Sequence, residues 1–428
     1  MEKIKYNGTD EIVYYERLKN GLEVYMYPSN TAKNFYLTFN TKFGSMDTEF
    51  KYEKNKKTIK LPRGTAHFLE HQLFEEGNEE TAFEKFAMLG SSVNAFTTYD
   101  LTCYEVIASE NFKENLELLL DFVQNPNFTE KSVKSEKGII KEEINMYDNN
   151  PNARLNFGLE YNLNVKDNHK YTISGNLEDI KKITPDILYR AYDAFYQPSN
   201  MFLVLTGKFK PLEALGIIKE NQNKKDFSPY KKCIKVRIKE PAYVSQKFER
   251  VEMDVTIPKI KIAYKIPKKS FKEFTDLYIK IYLDAILSIK FGATSDTLEK
   301  LINDNLISWD IETSRDIRSE YVIIYFQIES DYKDEIIELI RENLHSLEIS
   351  KEEMMRIKRV NIANFILHFN DIITVAEDIQ EDIITNQRII TDILNVYKSL
   401  NVSDANKIIK GIELTNESIF IVDKIDEK

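Results

Sequence analysis

Short runs of alternating apolar and polar residues open the chain. NGLEVYMYPS and NFYLTFNTKFG are rich in aromatic and β-branched residues and flank a polar stretch, which predicts two strands forming a hairpin. A helix carrying HFLEH follows. TAFEKFAMLG then opens on a capping box between Thr81 and Glu84 and closes at Gly90. LTCYEVIAS reads as a strand with Cys103 buried in it. Residues 111–124 place Phe112, Leu116, Leu119, Leu120 and Val123 on one face of a helix, a second helix spans 129–148, and MFLVLTG at 201–207 is a closing strand.

The polar, lysine-rich stretch NQNKKDFSPYKK contains Pro229 and predicts a linker, with the boundary near residue 230. Beyond it the order recurs loosely: strands at FERVEMDV and KIKIAYKI, a helix at 272–289, a strand at YVIIYFQIE, helices to about residue 411, and a last strand SIFIVDK. Each half is thus strands, helix, strand, helices, strand. The expected architecture is α+β, two copies of one unit in which an antiparallel-rich sheet is packed by helices. A chain of 428 residues suits this division, since domains run to roughly 150 residues each. The expected domains are 1–225, a linker at 226–242, and 243–428.

An apolar share of 42% and a charged share of 30% describe an ordinary globular chain. The N-terminal segment MEKIKYNGTDEIVYYER has no signal-like apolar region, and no run approaches 18 apolar residues. We therefore expect a cytoplasmic protein that does not enter the membrane. The net charge of -10 argues against nucleic acid and against an anionic membrane surface. Two cysteines, Cys103 and Cys233, are too few for a disulfide framework and read as reduced thiols.

Candidate chemistry concentrates in HFLEH. His67 and His71 lie four residues apart, so a helix projects both from one face toward a single ion, with Glu70 beside them. Ala66, Leu69 and Leu73 supply the buried stripe. The order His, two residues, Glu, His inverts the commoner zinc-peptidase motif. In either order the Glu can take a proton from water polarised by the metal, which makes Glu70 the candidate general base. Two imidazoles leave zinc in need of one more protein ligand. His169, His345 and His368 have no partner at ligand spacing, so a carboxylate is required. The helix SVKSEKGIIKEEINMYDNN offers Glu136 and Glu143, seven apart on one face with Ile140 between them, while Glu142 points elsewhere. Spacing alone leaves both eligible.

At this point the sequence resembles the insulinase and pitrilysin family of zinc metallopeptidases. The likeness lies in whole strings: GTAHFLEHQLFEEG, GSSVNAFTTYDLTCYEV, EKGIIKEEINMYDNNP and QPSNMFLVLTGKF. It is dense in the first half and loose in the second. The resemblance implies two insulinase-type α+β domains, the second without a metal motif, and one zinc ion per chain held by His67, His71 and Glu143. It implies Glu70 as base and Glu136 as a supporting catalytic acid. It also implies a peptide substrate bound as an added strand along Ser91, Asn94, Ala95 and Phe96.

The second half departs from the family pattern. Where members carry LRExxGLAYS, with an Arg and a Tyr that hold the substrate carbonyl, this chain has LEKLINDNLISWDIE, with Ile302 and Ser308 at those places. Arg315, Arg318 and Tyr321 lie nearby as alternatives. The resemblance therefore points to the zinc-bearing subunit of a two-chain endopeptidase, a heterodimer with a homologous metal-free subunit that supplies Arg and Tyr. Such a pair would act on small unfolded peptides, including those of ribosomal peptide maturation. Two other readings are a homodimeric oligopeptidase active by itself and a non-catalytic peptide- or partner-binding scaffold that keeps its metal.

Overall fold

A computed structural model of the chain describes residues 1–53, 57–75, 81–227, 232–307 and 309–425. The chain forms two compact units, each assembled from three segments. The first comprises Met1–Ile144, Thr172–Arg237 and Phe365–Asp392, and the second Asn145–Tyr171, Ile238–Asn364 and Ile393–Lys428.

In the first unit, strands β1 (Glu2–Lys5), β2 (Ile12–Arg17), β3 (Glu23–Pro28), β4 (Phe35–Thr41), β7 (Ser92–Thr97), β8 (Thr102–Ala108) and β9 (Met201–Gly207) form one sheet. Its order is β1-β2-β3-β9-β4-β8-β7, and a small second sheet joins β5 (Glu49–Tyr52), β6 (Ile59–Lys60) and β10 (Cys233–Lys235). Only β3 and β9 run parallel; every other pair in the large sheet is antiparallel. The expected hairpin between residues 23–28 and 35–41 is not formed, because β9 lies between them. MFLVLTG is buried at every residue and takes the central place that an apolar strand on both faces requires.

One face of this sheet packs against helices α1 (Thr65–Phe74), α2 (Ala82–Met88), α3 (Phe112–Val123) and α4 (Glu130–Asp148), through a core that includes Leu37, Phe39, Tyr104, Leu69 and Ile140. The capping box at Thr81 and Glu84 is present on α2. The helix Ile372–Asn386 covers the other face. Its Gln380 amide donates to Thr38 Oγ1 at 3.0 Å and Asn40 Oδ1 at 2.9 Å, both on β4.

The second unit holds β11 (Phe248–Met253), β12 (Lys259–Pro267), β13 (Glu312–Ile317), β14 (Tyr321–Glu329) and β15 (Glu417–Lys424) in the order β11-β15-β12-β14-β13. Here too one pair, β11 with β15, is parallel and the rest are antiparallel. Strand for strand this repeats β3-β9-β4-β8-β7, so the chain contains two copies of one α+β topology. The helix Asp276–Phe291, which opens at Thr275 and not at residue 272, takes the place of α1 between the second and third strands. Its sequence DLYIKIYLDAILSIKF carries no histidine and is mostly buried apolar surface. Among the described residues no helix is long and apolar enough to cross a membrane.

Candidate metal centre

α1 begins at Gly64, whose φ of +78° is left-handed and whose missing Cβ would stand 2.2 Å from the carbonyl oxygen of Ser174. Only glycine fits this start. From there α1 is buried along nearly its whole length, more than the stripe of Ala66, Leu69 and Leu73 requires, and His67 and Glu70 are buried with it. His67 and His71 lie one turn apart with ring centroids separated by 4.5 Å.

α4 buries its face of Val133, Glu136, Ile140 and Ile144 in the same core, and it meets α1 where Ser132 Oγ donates to Gln72 Oε1 at 3.0 Å. This docking brings the two acids in. Glu143 Oε1 lies 3.4 Å from His67 Nε2, and Glu143 Oε2 lies 3.6 Å from His71 Nε2. Donor atoms of His67, His71 and Glu143 all fall within 4.8 Å of one another, and among the described residues no other group of three such side chains does so. Glu142 is exposed on the far side of α4.

Glu136 is only 3% exposed and accepts from His71 Nδ1 at 2.8 Å. With the proton held on Nδ1, the Nε2 lone pair faces Glu143, which is the orientation a metal-ligating imidazole takes. Burial alone would lower the His71 pKa, but the Glu136 hydrogen bond and the charges of Glu70, Glu136 and Glu143 outweigh it and raise it. A divalent cation at Nε2 would compete with the second proton, the one that makes the ring an imidazolium. His67 Nδ1 is buried and meets no hydrogen-bond partner among the described residues. Two imidazoles and one carboxylate suit zinc with one position left open, and the geometry fits that ion.

Glu70 stands beside this trio and feels the charges of all three. Its carboxylate, 6% exposed, accepts from Thr97 Oγ1 at 2.6 Å. Burial pushes its pKa up, against the opposing pull of the two histidines and the Thr97 hydroxyl. Sequence reasoning passed over Thr97, although the period-2 pattern places it two residues after Ala95, on the α1 side of β7.

β7 is the edge strand of its sheet, next to α1. Asn94 is exposed on the face opposite Thr97, with its amide 3.4 Å from Glu105 Oε1. Ala95 and Phe96 are half-buried. Ser91 precedes the strand, and its hydroxyl donates to Asn115 Oδ1 at the base of α3, an intramolecular commitment.

The second unit's alternatives for the absent Arg and Tyr are also committed. Arg315 pairs with Asp284 at 2.9 Å. Arg318 donates to Asp316, Asn164, Glu160 and the Tyr321 hydroxyl at 2.6–3.1 Å, and Tyr321 is 2% exposed. Ile302 is exposed at the end of the helix Asp296–Asn303, and Ser308 lies outside the described residues.

Residues 59–174 match the sequence model of the insulinase family, peptidase family M16, and residues 182–361 match that of the peptidase M16 inactive domain. The uncharacterised zinc protease YmfH of Bacillus subtilis is 35% identical over 364 residues, which cover 85% of this chain and 84% of that protein. The crystal structure of an M16-like peptidase from Alicyclobacillus acidocaldarius has a TM-score of 0.90 at 25% identity, covering 97% of this chain and 99% of that one. The periplasmic protease PqqL from Escherichia coli shares the fold at a TM-score of 0.72 and 18% identity, and 100% of this chain spans 48% of it.

Proposed function

This chain belongs to the insulinase family, peptidase family M16, and on that premise we propose that it is the zinc-bearing subunit of an endopeptidase acting on short unfolded peptides. The observation that carries the reading is the convergence of His67, His71 and Glu143 with Glu70 at their side.

In this reading His67, His71 and Glu143 hold the ion, and Glu136 fixes the His71 tautomer. Zinc, when bound, supplies Lewis-acid polarisation of water and of the scissile carbonyl. Glu70 takes the proton of the attacking water and returns it to the leaving amine. The outer edge of β7, which pairs with no further strand among the described residues, receives the peptide as an added strand, with Asn94, Ala95 and Phe96 along it and Ser91 at its start.

The carbonyl also needs a hydrogen-bonding partner, an interaction worth about 3–4 kcal/mol in transition states of this kind. We assign that role to a homologous metal-free subunit. Two observations support the assignment: Arg318 and Tyr321 are bound to one another and to neighbours in their own unit, and this fold spans about half of the longer PqqL chain. Maturation of a ribosomally made peptide is the finer form of this proposal. A homodimer is the other arrangement of two copies, and it differs in cleaving peptides with no second gene product. The same departure from LRExxGLAYS favours, as a second reading, a peptide-binding scaffold with a retained metal.

Metal analysis and a peptide assay separate these. We expect one zinc per chain in the wild type and in Glu70→Gln, loss of zinc in His71→Ala, and cleavage that Glu70→Gln abolishes. Absence of zinc from the wild type would sink the proposal. Full zinc with no cleavage, alone or with the metal-free homologue, would leave the scaffold.

A further inference from the structure

Glu70 is buried, and a buried carboxylate must be held by donors if it is to point in one direction. Among the described residues, one hydrogen bond holds it. Thr97 Oγ1 donates to Glu70 Oε2 at 2.6 Å, a short charge-assisted contact. The direction of donation follows from the neighbours. Thr102 Oγ1, 3.4 Å from Thr97 Oγ1, gives its own proton to the carbonyl of Phe43 at 2.8 Å. A threonine hydroxyl has one proton, and that of Thr97 goes to Glu70. Thr97 is itself buried, and its β-branched side chain has few rotamers to choose from.

Thr97 is also the last residue of β7, the edge strand beside α1. β7 pairs with β8 through Asn94 with Glu105, Ala95 with Tyr104 and Thr97 with Thr102. The hydroxyl therefore joins two elements that are remote in sequence, the helix bearing Glu70 and the outer sheet edge. We infer that Thr97 is a positioning residue: its hydroxyl aims the Glu70 carboxylate and keeps it in register with a peptide lying along β7. The inference rests on the reading of Glu70 as the base and of β7 as the peptide-binding edge. A misplacement of about 1 Å in such an arrangement costs on the order of 100-fold in rate.

Thr97→Val removes the donor at nearly constant volume, Thr97→Ser restores it, and Thr97→Ala removes it without the added methyl should the valine variant fail to fold. The readout independent of activity is a crystal structure of the zinc-loaded full chain. We expect the Glu70 carboxylate to leave its present position in the valine or alanine variant and to return in the serine variant, with zinc stoichiometry unchanged in all. In the active enzyme kcat falls about 10- to 100-fold with KM unchanged, and serine recovers most of it. A Glu70 carboxylate that stays in place without the hydroxyl, or a kcat equal to the wild type in the valine or alanine variant, overturns the inference. Failure of the parent reading looks different, as a wild type without zinc or a Glu70→Gln variant that still cleaves.

Discussion

Glu136 Oε1 lies 2.8 Å from one nitrogen of His71 while Glu143 Oε2 lies 3.6 Å from the other, so two acids of one helix hold a single imidazole between them. The seven-residue spacing gives the acids different tasks: Glu143 reaches the shared centre, and Glu136 fixes the ring that faces it. Glu136→Ala should therefore weaken zinc binding about 10- to 100-fold without abolishing it. Glu136→Gln should cost less, because the amide oxygen still accepts from Nδ1. Glu143→Ala should abolish stoichiometric binding. Competition against a chelator of known affinity measures all three, and equal losses for Glu136→Ala and Glu143→Ala would contradict the division of roles.

The start of α1 makes a second expectation. Gly64 has a positive φ, and a Cβ there would meet backbone, with the Ser174 carbonyl at 2.2 Å. Gly175, across this contact, also has a positive φ, and its Cβ would stand 2.7 Å from the carbonyl of Arg63. Gly64→Ala should destabilise the protein by more than about 1 kcal/mol. Because the displaced residue begins the helix that carries His67 three positions on, zinc affinity should fall with stability. Urea denaturation of the metal-free chain and zinc titration of the folded one measure the two effects separately.

Arg318 makes the opposite case, a residue whose loss should spare the metal. Its guanidinium is almost fully buried and held by Glu160, Asp316, Asn164 and Tyr321, while Glu160 accepts a further hydrogen bond from Tyr325 at 2.6 Å. Removing the cation leaves the largely buried Glu160 carboxylate without its ionic partner. Arg318→Ala should cost about 3–5 kcal/mol of stability. Zinc stoichiometry at His67, His71 and Glu143 should not change. A variant of wild-type stability would show that the network is not structural and would reopen Arg318 as a substrate contact.

These cases mark what the sequence made legible. The strands at 201–207 and 321–329 agree with their expected bounds, because an unbroken apolar run between polar turns admits few alternatives. His67, His71, Glu136 and Glu143 came from helical spacing, and α1 and α4 bring all four together. Strand order was less legible. Periodicity tells which face of a strand is buried but not which strand lies beside it, so β9 between β3 and β4 overturned the hairpin. The same limit hid the place of Ile372–Asn386, whose apolar face is readable while its partners, β9 and β4, lie 166 and 340 residues earlier at the contacts Thr206–Ile372 and Asn40–Gln380. It also hid the commitment of Arg318, whose partners Glu160 and Asn164 lie 158 and 154 residues away.

Asp382 makes the stability of the first unit depend on pH. It lies on the helix Ile372–Asn386, where burial raises its pKa to about 7, against the opposing N–H of Ile390 and with the charges of Asp378 and Glu381 adding to the rise. Its ordinary value is 3.8, so the folded state prefers the protonated form. The folded protein then binds more protons than the unfolded chain between those two values, and stability falls as pH rises through that window. Below about pH 4 the contribution is fully present, and above about pH 7 it is lost. One pH unit between the two values corresponds to about 1.4 kcal/mol, so the whole window is worth at most about 4 kcal/mol. Other groups titrate in the same range, so the comparison must be with Asp382→Asn, which is neutral throughout. The variant should gain stability relative to the wild type from about pH 5 to about pH 8, by up to about 3 kcal/mol. Urea unfolding of the metal-free chain at both pH values measures the difference, and a gap that does not change with pH would show that Asp382 is already ionised in the folded state at the lower one.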